Sequence, residues 1–307
     1  MKKLINFLII FLIIILCFFY HKQIASFIIN YIIAPKQEVN YKANSYMLNN
    51  NFSYLQIDDN FIPHNKKDIM NIFYTRLNEG VDEFYFYCDD KYKYCLDDVK
   101  KLTNNEEILS EINNFVHPFN SYSKLSINFD HFGKVRVNIK RLYSEAEIKA
   151  INNKIDEIVK NYINDNMSVK DKIKIFHDHI INNSLYDSEK AEAITHGHPL
   201  PTTYESQKAY GPLLQGMAIC SGYSDSMAIF LDRLGIPNYK ISSSNHIWNL
   251  VFIDNAWYHI DLTWDDPVTS DHSNIIIYDF FLINTNTLQS IDLTQHNFDK
   301  NIYKEAN

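Results

Sequence analysis

The chain is short of glycine, short of cysteine and has no surplus of positive charge. Seven glycines and four cysteines occur in 307 residues, and 29 lysines and arginines face 37 aspartates and glutamates, a formal net charge of −8. A nucleic-acid binder needs a basic face, so this balance argues against that class. No internal repeat or low-complexity block is evident. The scarcity of glycine beside abundant Asn, Ile, Lys and Tyr carries no functional weight. Apolar content is ordinary at 46%, against 21% charged residues. That is enough to bury a core, over a length that suits one large domain or two modest ones.

The one long apolar run is at the start, "MKKLINFLIIFLIIILCFFY". Residues 4–20 are at the lower edge of a membrane-spanning length, and a basic end before an apolar stretch also suits a signal peptide. "IAS" at 24–26 is a weak cleavage site, and Leu16 before Cys17 is a poor lipoprotein context. Residues 1–35 are therefore expected to be a membrane anchor or signal segment, with an uncleaved helix preferred. Lys2 and Lys3 favour a cytoplasmic N-terminus, which places the remainder outside the cytoplasm. "SFIINYIIAP" (26–35) extends the helix or lies on the membrane surface, and residues 36–50 form a polar linker.

Beyond the linker, apolar spacing predicts a helix over 66–79 stopped by Gly80, a strand over 82–88 and a helix over 104–116. Residues 124–143 alternate apolar and polar around Gly133, a hairpin signal. Ser144 opens a helix to about 164 through an S-x-x-E capping box, and another helix follows over 168–182. This pattern gives an α+β region at 51–145, in which no residue names a ligand, and a second domain at 146–307. Cys88 and Cys95, in "CDDKYKYC", form a short disulfide loop if exported, or remain two free thiols.

Cys220 stands in "AICSGYSDSMAIF", before an apolar stripe of Tyr223, Met227, Phe230, Leu231 and Leu234 that Gly235 and Pro237 end. A thiol at a helix start meets unpaired N–H groups and the positive end of the helix dipole, which favour the nucleophilic thiolate. The bland alternative is a buried apolar cysteine. Downstream, "NHIWNLVFIDNAWYHIDLTWDD" (245–266) reads as two strands around a two-residue turn at Asp254–Asn255. Pairing Ile253 with Ala256 puts His246 opposite Thr263 and Trp248 opposite Asp261. His246 and Asp261 then share a sheet face one diagonal step apart, within reach of each other. A carboxylate fixes an imidazole's tautomer and orientation, as a base serving Cys220 requires. All three tryptophans (Trp248, Trp257, Trp264) lie in this segment.

"GMAICSGYSDSMAIFLDRLGI", "HIWNLV" and "WYHIDLTWDD" together resemble the transglutaminase-like superfamily of papain-type cysteine enzymes, over roughly residues 165–285. The resemblance implies an α+β fold whose core is a nucleophile-bearing helix packed on an antiparallel sheet, and a transglutaminase-like catalytic domain at 146–307. It makes Cys220 the nucleophile, His246 the general base and Asp261 its orienting partner. The upstream "FHDHIINNSLYD" (176–187) resembles the family's helix ending in Tyr-Asp. Gln215 and Tyr210 are weak choices for a side chain supporting the oxyanion. Animal members use calcium, but Asp265, Asp266 and Asp271 lack a glycine-bearing calcium loop. No cofactor or metal is expected, and His177, His179, His196 and His198 are expected to be exposed polar residues. The implied activity is extracytoplasmic acyl transfer through a thioester, on a peptide or protein substrate at the cell surface or cell wall. Hydrolysis is slightly preferred over transfer to an amine. The alternative is a non-catalytic cell-surface binding or scaffold protein of the same fold.

Overall fold

The computed structural model describes residues 2–28, 41–42, 54–55, 61–130, 133–268 and 275–307. The linker expected at 36–50, the extension at 29–35 and Asp271 therefore lie outside the described residues, apart from 41–42. Among the described residues the chain divides into two compact units, one over 2–112 and 122–140, the other over 113–121 and 141–307.

In chain order the first elements are α1 (Lys2–Phe19), α2 (His21–Ile28), β1 (Tyr41–Lys42), β2 (Tyr54–Leu55), α3 (Lys66–Asn78), β3 (Glu83–Tyr87), α4 (Cys95–Thr103), α5 (Glu106–Asn114), β4 (Tyr122–Phe129) and β5 (Lys134–Arg141). The membrane helix expected over residues 4–20 is not supported. Among the described residues no helix is long and apolar enough to cross a membrane. The apolar part of α1 stops at Phe19, where the chain bends before α2. At about 1.5 Å per residue it reaches roughly 24 Å, short of a hydrocarbon core of about 30 Å.

In the first unit α3 begins where the Asn65 side chain accepts the Asp68 N–H at 3.0 Å. It buries Ile69, Ile72, Phe73 and Leu77 on its apolar stripe, and Gly80 follows at φ 73°. Phe73 meets the β3 rings of Phe84 and Phe86 edge-on, at 5.3 and 6.3 Å. The strands form a sheet in the order β3-β5-β4. The helix expected at 104–116 is α5, begun where the Asn105 side chain accepts the Ile108 N–H at 3.1 Å; α4, just before it, is not expected from the sequence.

Cys88 and Cys95 form a disulfide across a separation of seven residues. Removing it frees the unfolded chain by the entropy of closing a short loop, about 2–3 kcal/mol. Cys88→Ser should therefore lower the unfolding free energy by that amount, read as a lower denaturant midpoint at unchanged slope. In the unreduced wild-type chain, neither cysteine should take up iodoacetamide in a mass map. Alkylation of both without reductant would show that the bond does not form.

The second unit comprises α6 (Glu145–Tyr162), α7 (Val169–Asn182), β6 (Leu185–Tyr186), α8 (Ser188–His196), a π turn at Gly211–Gln215, β7 (Met217–Ala218), α9 (Cys220–Arg233), β8 (Asn238–Ser242), β9 (Ile247–Ile253), β10 (Ala256–Ile260), β11 (Phe281–Ile283) and α10 (Thr285–Ile291). The capping box is present: Ser144 and Glu147 satisfy each other's backbone N–H groups. The sheet runs β11-β10-β9-β8, with every neighbour antiparallel. Asp254 and Asn255, at φ 51° and 61°, make the two-residue turn of the β9–β10 hairpin, which pairs Ile253 with Ala256 as expected. The ladder ends at Asn249–Ile260, so the expected pairings of His246 with Thr263 and Trp248 with Asp261 do not form within it. Helices α6, α7 and α9 bury Ile151, Ile155, Ile173, Phe176, Met227 and Phe230 in one core with the sheet residues Val251 and Ile260. Phe176 and Phe230 stack at 4.0 Å. The unit is thus α+β, with α9 lying on an antiparallel sheet.

Candidate active site

Cys220 is the first residue of α9, where Ile219 supplies no side-chain cap. Four polar ties hold this helix. The Asn249 amide of β9 donates to the Ser224 carbonyl at 2.9 Å, which fixes the helix against the strand that follows His246. Asp225 accepts from Tyr143 and from Lys240, each at 2.6 Å. The Tyr223 hydroxyl donates to Asp266. At the first turn, a Cβ on Gly222 would stand 2.2 Å from the Ser206 carbonyl oxygen. Only a glycine lets the preceding loop approach the first turn of α9 so closely.

His246 immediately precedes β9 and Asp261 immediately follows β10, so antiparallel pairing brings them to the same end of the sheet. The His246 Nε2 lies 2.5 Å from Asp261 Oδ2, which leaves Nδ1 as the ring nitrogen free to serve the thiol. Trp248 stacks on the imidazole with centroids 5.7 Å apart and planes 15° apart. Trp248 itself is held by donating from Nε1 to His259 Nδ1 at 3.1 Å. Asp261 is buried, and its Oδ1 accepts the backbone N–H groups of Thr263 at 2.9 Å and Trp264 at 3.4 Å.

The electrostatics follow from this packing. Burial pushes the His246 imidazolium toward losing its proton. The Asp261 charge and hydrogen bond, followed by the hydrogen bond and charge of Cys220, outweigh burial and raise the pKa to about 10. For Asp261, burial alone would raise the pKa. The charge and hydrogen bond of His246, with those of His296, override it and hold the carboxyl well below the usual carboxylate range. The ring is thus the protonated partner and the carboxylate the ionised one across neutral pH. The Cys220–His246 interaction closes the line thiol–imidazole–carboxylate.

Several residues sit otherwise than their sequence suggested. His177 is not exposed but fully buried, with Nε2 3.0 Å from Asp265 Oδ2 and Nδ1 2.9 Å from Asp178. It lies on the α7 face turned into the core, and His179 is half-buried. His196 and His198 are exposed. Asp265 also accepts the Phe280 N–H at 2.9 Å. The Gln215 amide oxygen accepts the Glu205 N–H at 2.6 Å, a loop-fixing contact, and Tyr210 packs against the core.

Two further residues interact with this line; Tyr186 was legible only as part of the Tyr-Asp that ends a family-like helix, and His296 carried no sequence signal. Tyr186 pairs with Ala218 in the parallel β6–β7 ladder. Burial, then the charges of Cys220, Asp187 and Asp261, raise its hydroxyl to about 12. His296 places Nε2 2.9 Å from the same Asp261 oxygen that holds His246. The donor atoms of His246, Asp261 and His296 all lie within 4.8 Å of one another. Both histidine-to-carboxylate distances are hydrogen-bond lengths that converge on one oxygen, and that arrangement accounts for the cluster.

Solved structures similar to this chain include the following two. One, a transglutaminase (TGase), is 16% identical at a TM-score of 0.36, covering 72% of this chain and 64% of that one. The other, a candidate cysteine protease from Cytophaga hutchinsonii, is 13% identical at a TM-score of 0.28, covering 46% of this chain and 61% of that one. The chain thus spans under two thirds of the length of either. No family model matches, and no curated protein matches.

Proposed function

We propose that this chain is an extracytoplasmic cysteine enzyme of the transglutaminase-like type, acting on amide bonds of a peptide or protein at the cell surface or cell wall. The observation that carries the proposal is the His246 ring, pinned through Nε2 by Asp261 at 2.5 Å and interacting with Cys220. Cys220 attacks the amide carbonyl as a thiolate, and a C–S bond forms. The donors assigned to the oxyanion are the Cys220 backbone N–H at the uncapped start of α9 and the Tyr186 hydroxyl, which feels the Cys220 charge. His246 delivers its proton to the departing amine, the C–N bond breaks, and a thioester remains. Water then attacks, giving its proton to His246, and the acid leaves as the thiolate returns. An amine in place of water gives transfer instead. Hydrolysis is the preferred outcome, because water needs no acceptor site of its own.

The extracytoplasmic placement is supported by the Cys88–Cys95 disulfide, since such bonds persist in oxidising compartments. The apolar N-terminal run suits an export segment. Incubation with glutamine-containing peptides, with and without a primary amine, tests the activity by mass spectrometry. Free acid should exceed amine adduct while both require Cys220. No turnover by a chain whose Cys220 still labels would favour the binding or scaffold reading.

A further inference from the structure

The hydrogen-bonded line does not stop at Asp261. His296 follows α10, is fully buried, and holds two carboxylates at once. Its Nε2 lies 2.9 Å from Asp261 Oδ2, and its Nδ1 lies 2.9 Å from Asp292 Oδ2. Asp292 also accepts the backbone N–H groups of Thr294 at 3.1 Å and Gln295 at 2.8 Å, and the Thr294 hydroxyl at 2.5 Å. Burial pushes the Asp292 carboxyl up, but these hydrogen bonds and that of His296 hold it well below the usual range. An ionised carboxylate only accepts hydrogen bonds. A ring facing one at each nitrogen must present an N–H at each, which makes it the charged imidazolium. Rotation is blocked: Phe280 stacks on the ring at 5.1 Å, and Trp248 and Trp264 meet it edge-on at 4.9 and 5.3 Å.

We propose that His296 is a positioning residue of the site: an imidazolium, anchored by Asp292, that fixes the Asp261 carboxylate and shares its charge with His246. The clamp thereby sets how firmly Asp261 holds the His246 proton. Its catalytic consequence rests on the cysteine-enzyme reading above. The ionisable groups facing His296 are Asp261, Asp292, His246 and His259. His246 in turn faces Asp261, Cys220 and His296. The His246 and His296 rings are 5.2 Å apart, so the two cations repel each other across the carboxylate they share. His259 registers the same charge: burial first, then His296, lower it to about 3. His259 accepts from Trp248 at Nδ1 and contacts Thr285 Oγ1 through Nε2 at 2.9 Å, an arrangement that suits the neutral ring.

The test is an NMR titration of the His246 ring in the full chain, in wild type, His296→Gln and Asp292→Asn. The glutamine keeps an N–H donor for Asp261 and removes the charge. Asp292→Asn keeps the ring but removes the partner that demands its second proton, at a position whose side chain is 11% exposed. In both variants the His246 midpoint should rise by about one pH unit or more. If His296→Gln does not fold, Asp292→Asn decides alone. A His246 midpoint unmoved in folded variants overturns the clamp. The enzyme reading stands or falls separately, on wild-type Cys220. If that thiol is no more reactive than Cys17, the enzyme reading is lost, while the histidine titration still decides the role of His296.

Discussion

Replacing Cys220 with serine should lower turnover at least about a thousandfold, because a hydroxyl paired to the same histidine is a far weaker nucleophile. The chain carries its own control. Cys17 is free and exposed, and Cys220 is free and half-buried. Burial alone would make Cys220 the slower to alkylate. The helix start and the charged His246 reverse that order, so at pH 6.5 Cys220 should react with iodoacetamide about tenfold or more faster than Cys17. His246→Ala should bring the two to similar rates. Equal rates in the wild type would remove the thiolate–imidazolium pair from the mechanism.

Asp261→Asn should reduce kcat by about 10²–10⁴-fold while keeping the fold, because the amide neither neutralises the His246 imidazolium nor fixes its tautomer. It should also cost stability, about 3 kcal/mol where the pair is fully formed, since a buried cation loses its partner. The pH dependence of that cost has a definite sign. The folded pKa of His246 is raised to about 10, against about 6.5 unfolded. Its contribution is complete below about pH 6.5 and is lost as the pH rises through about 10. The folded pKa of Asp261 is lowered, so its contribution is complete above about pH 4 and is lost as the pH falls through the folded value. The gap between wild type and Asp261→Asn in urea midpoint should therefore be widest between about pH 4 and 6.5 and close toward pH 10. A gap independent of pH would mean that Asp261 is structural only.

The sequence by itself determined what depends on neighbours a few residues away. The Ser144 capping box, the helix starting at Cys220 and the left-handed turn at Asp254–Asn255 are all short-range choices of backbone and side chain. The hairpin register followed from the turn, and with it the nearness of His246 and Asp261, even though the ladder ends before reaching them. Tertiary structure decided everything that needed a long loop closed. Nothing local brings Cys220 to His246; the Asn249 amide on the Ser224 carbonyl and the shared core of α9 and the sheet do that. His296 lies far along the chain from Cys220 and His246 and carries no pattern, and the Tyr-Asp motif that holds Tyr186 does not show what its hydroxyl faces. His177 read as a surface histidine because helical spacing shows which residues share a face, not which face the core covers. Contacts of that range arise only when the whole unit collapses around its apolar interior, and a one-dimensional pattern does not record them.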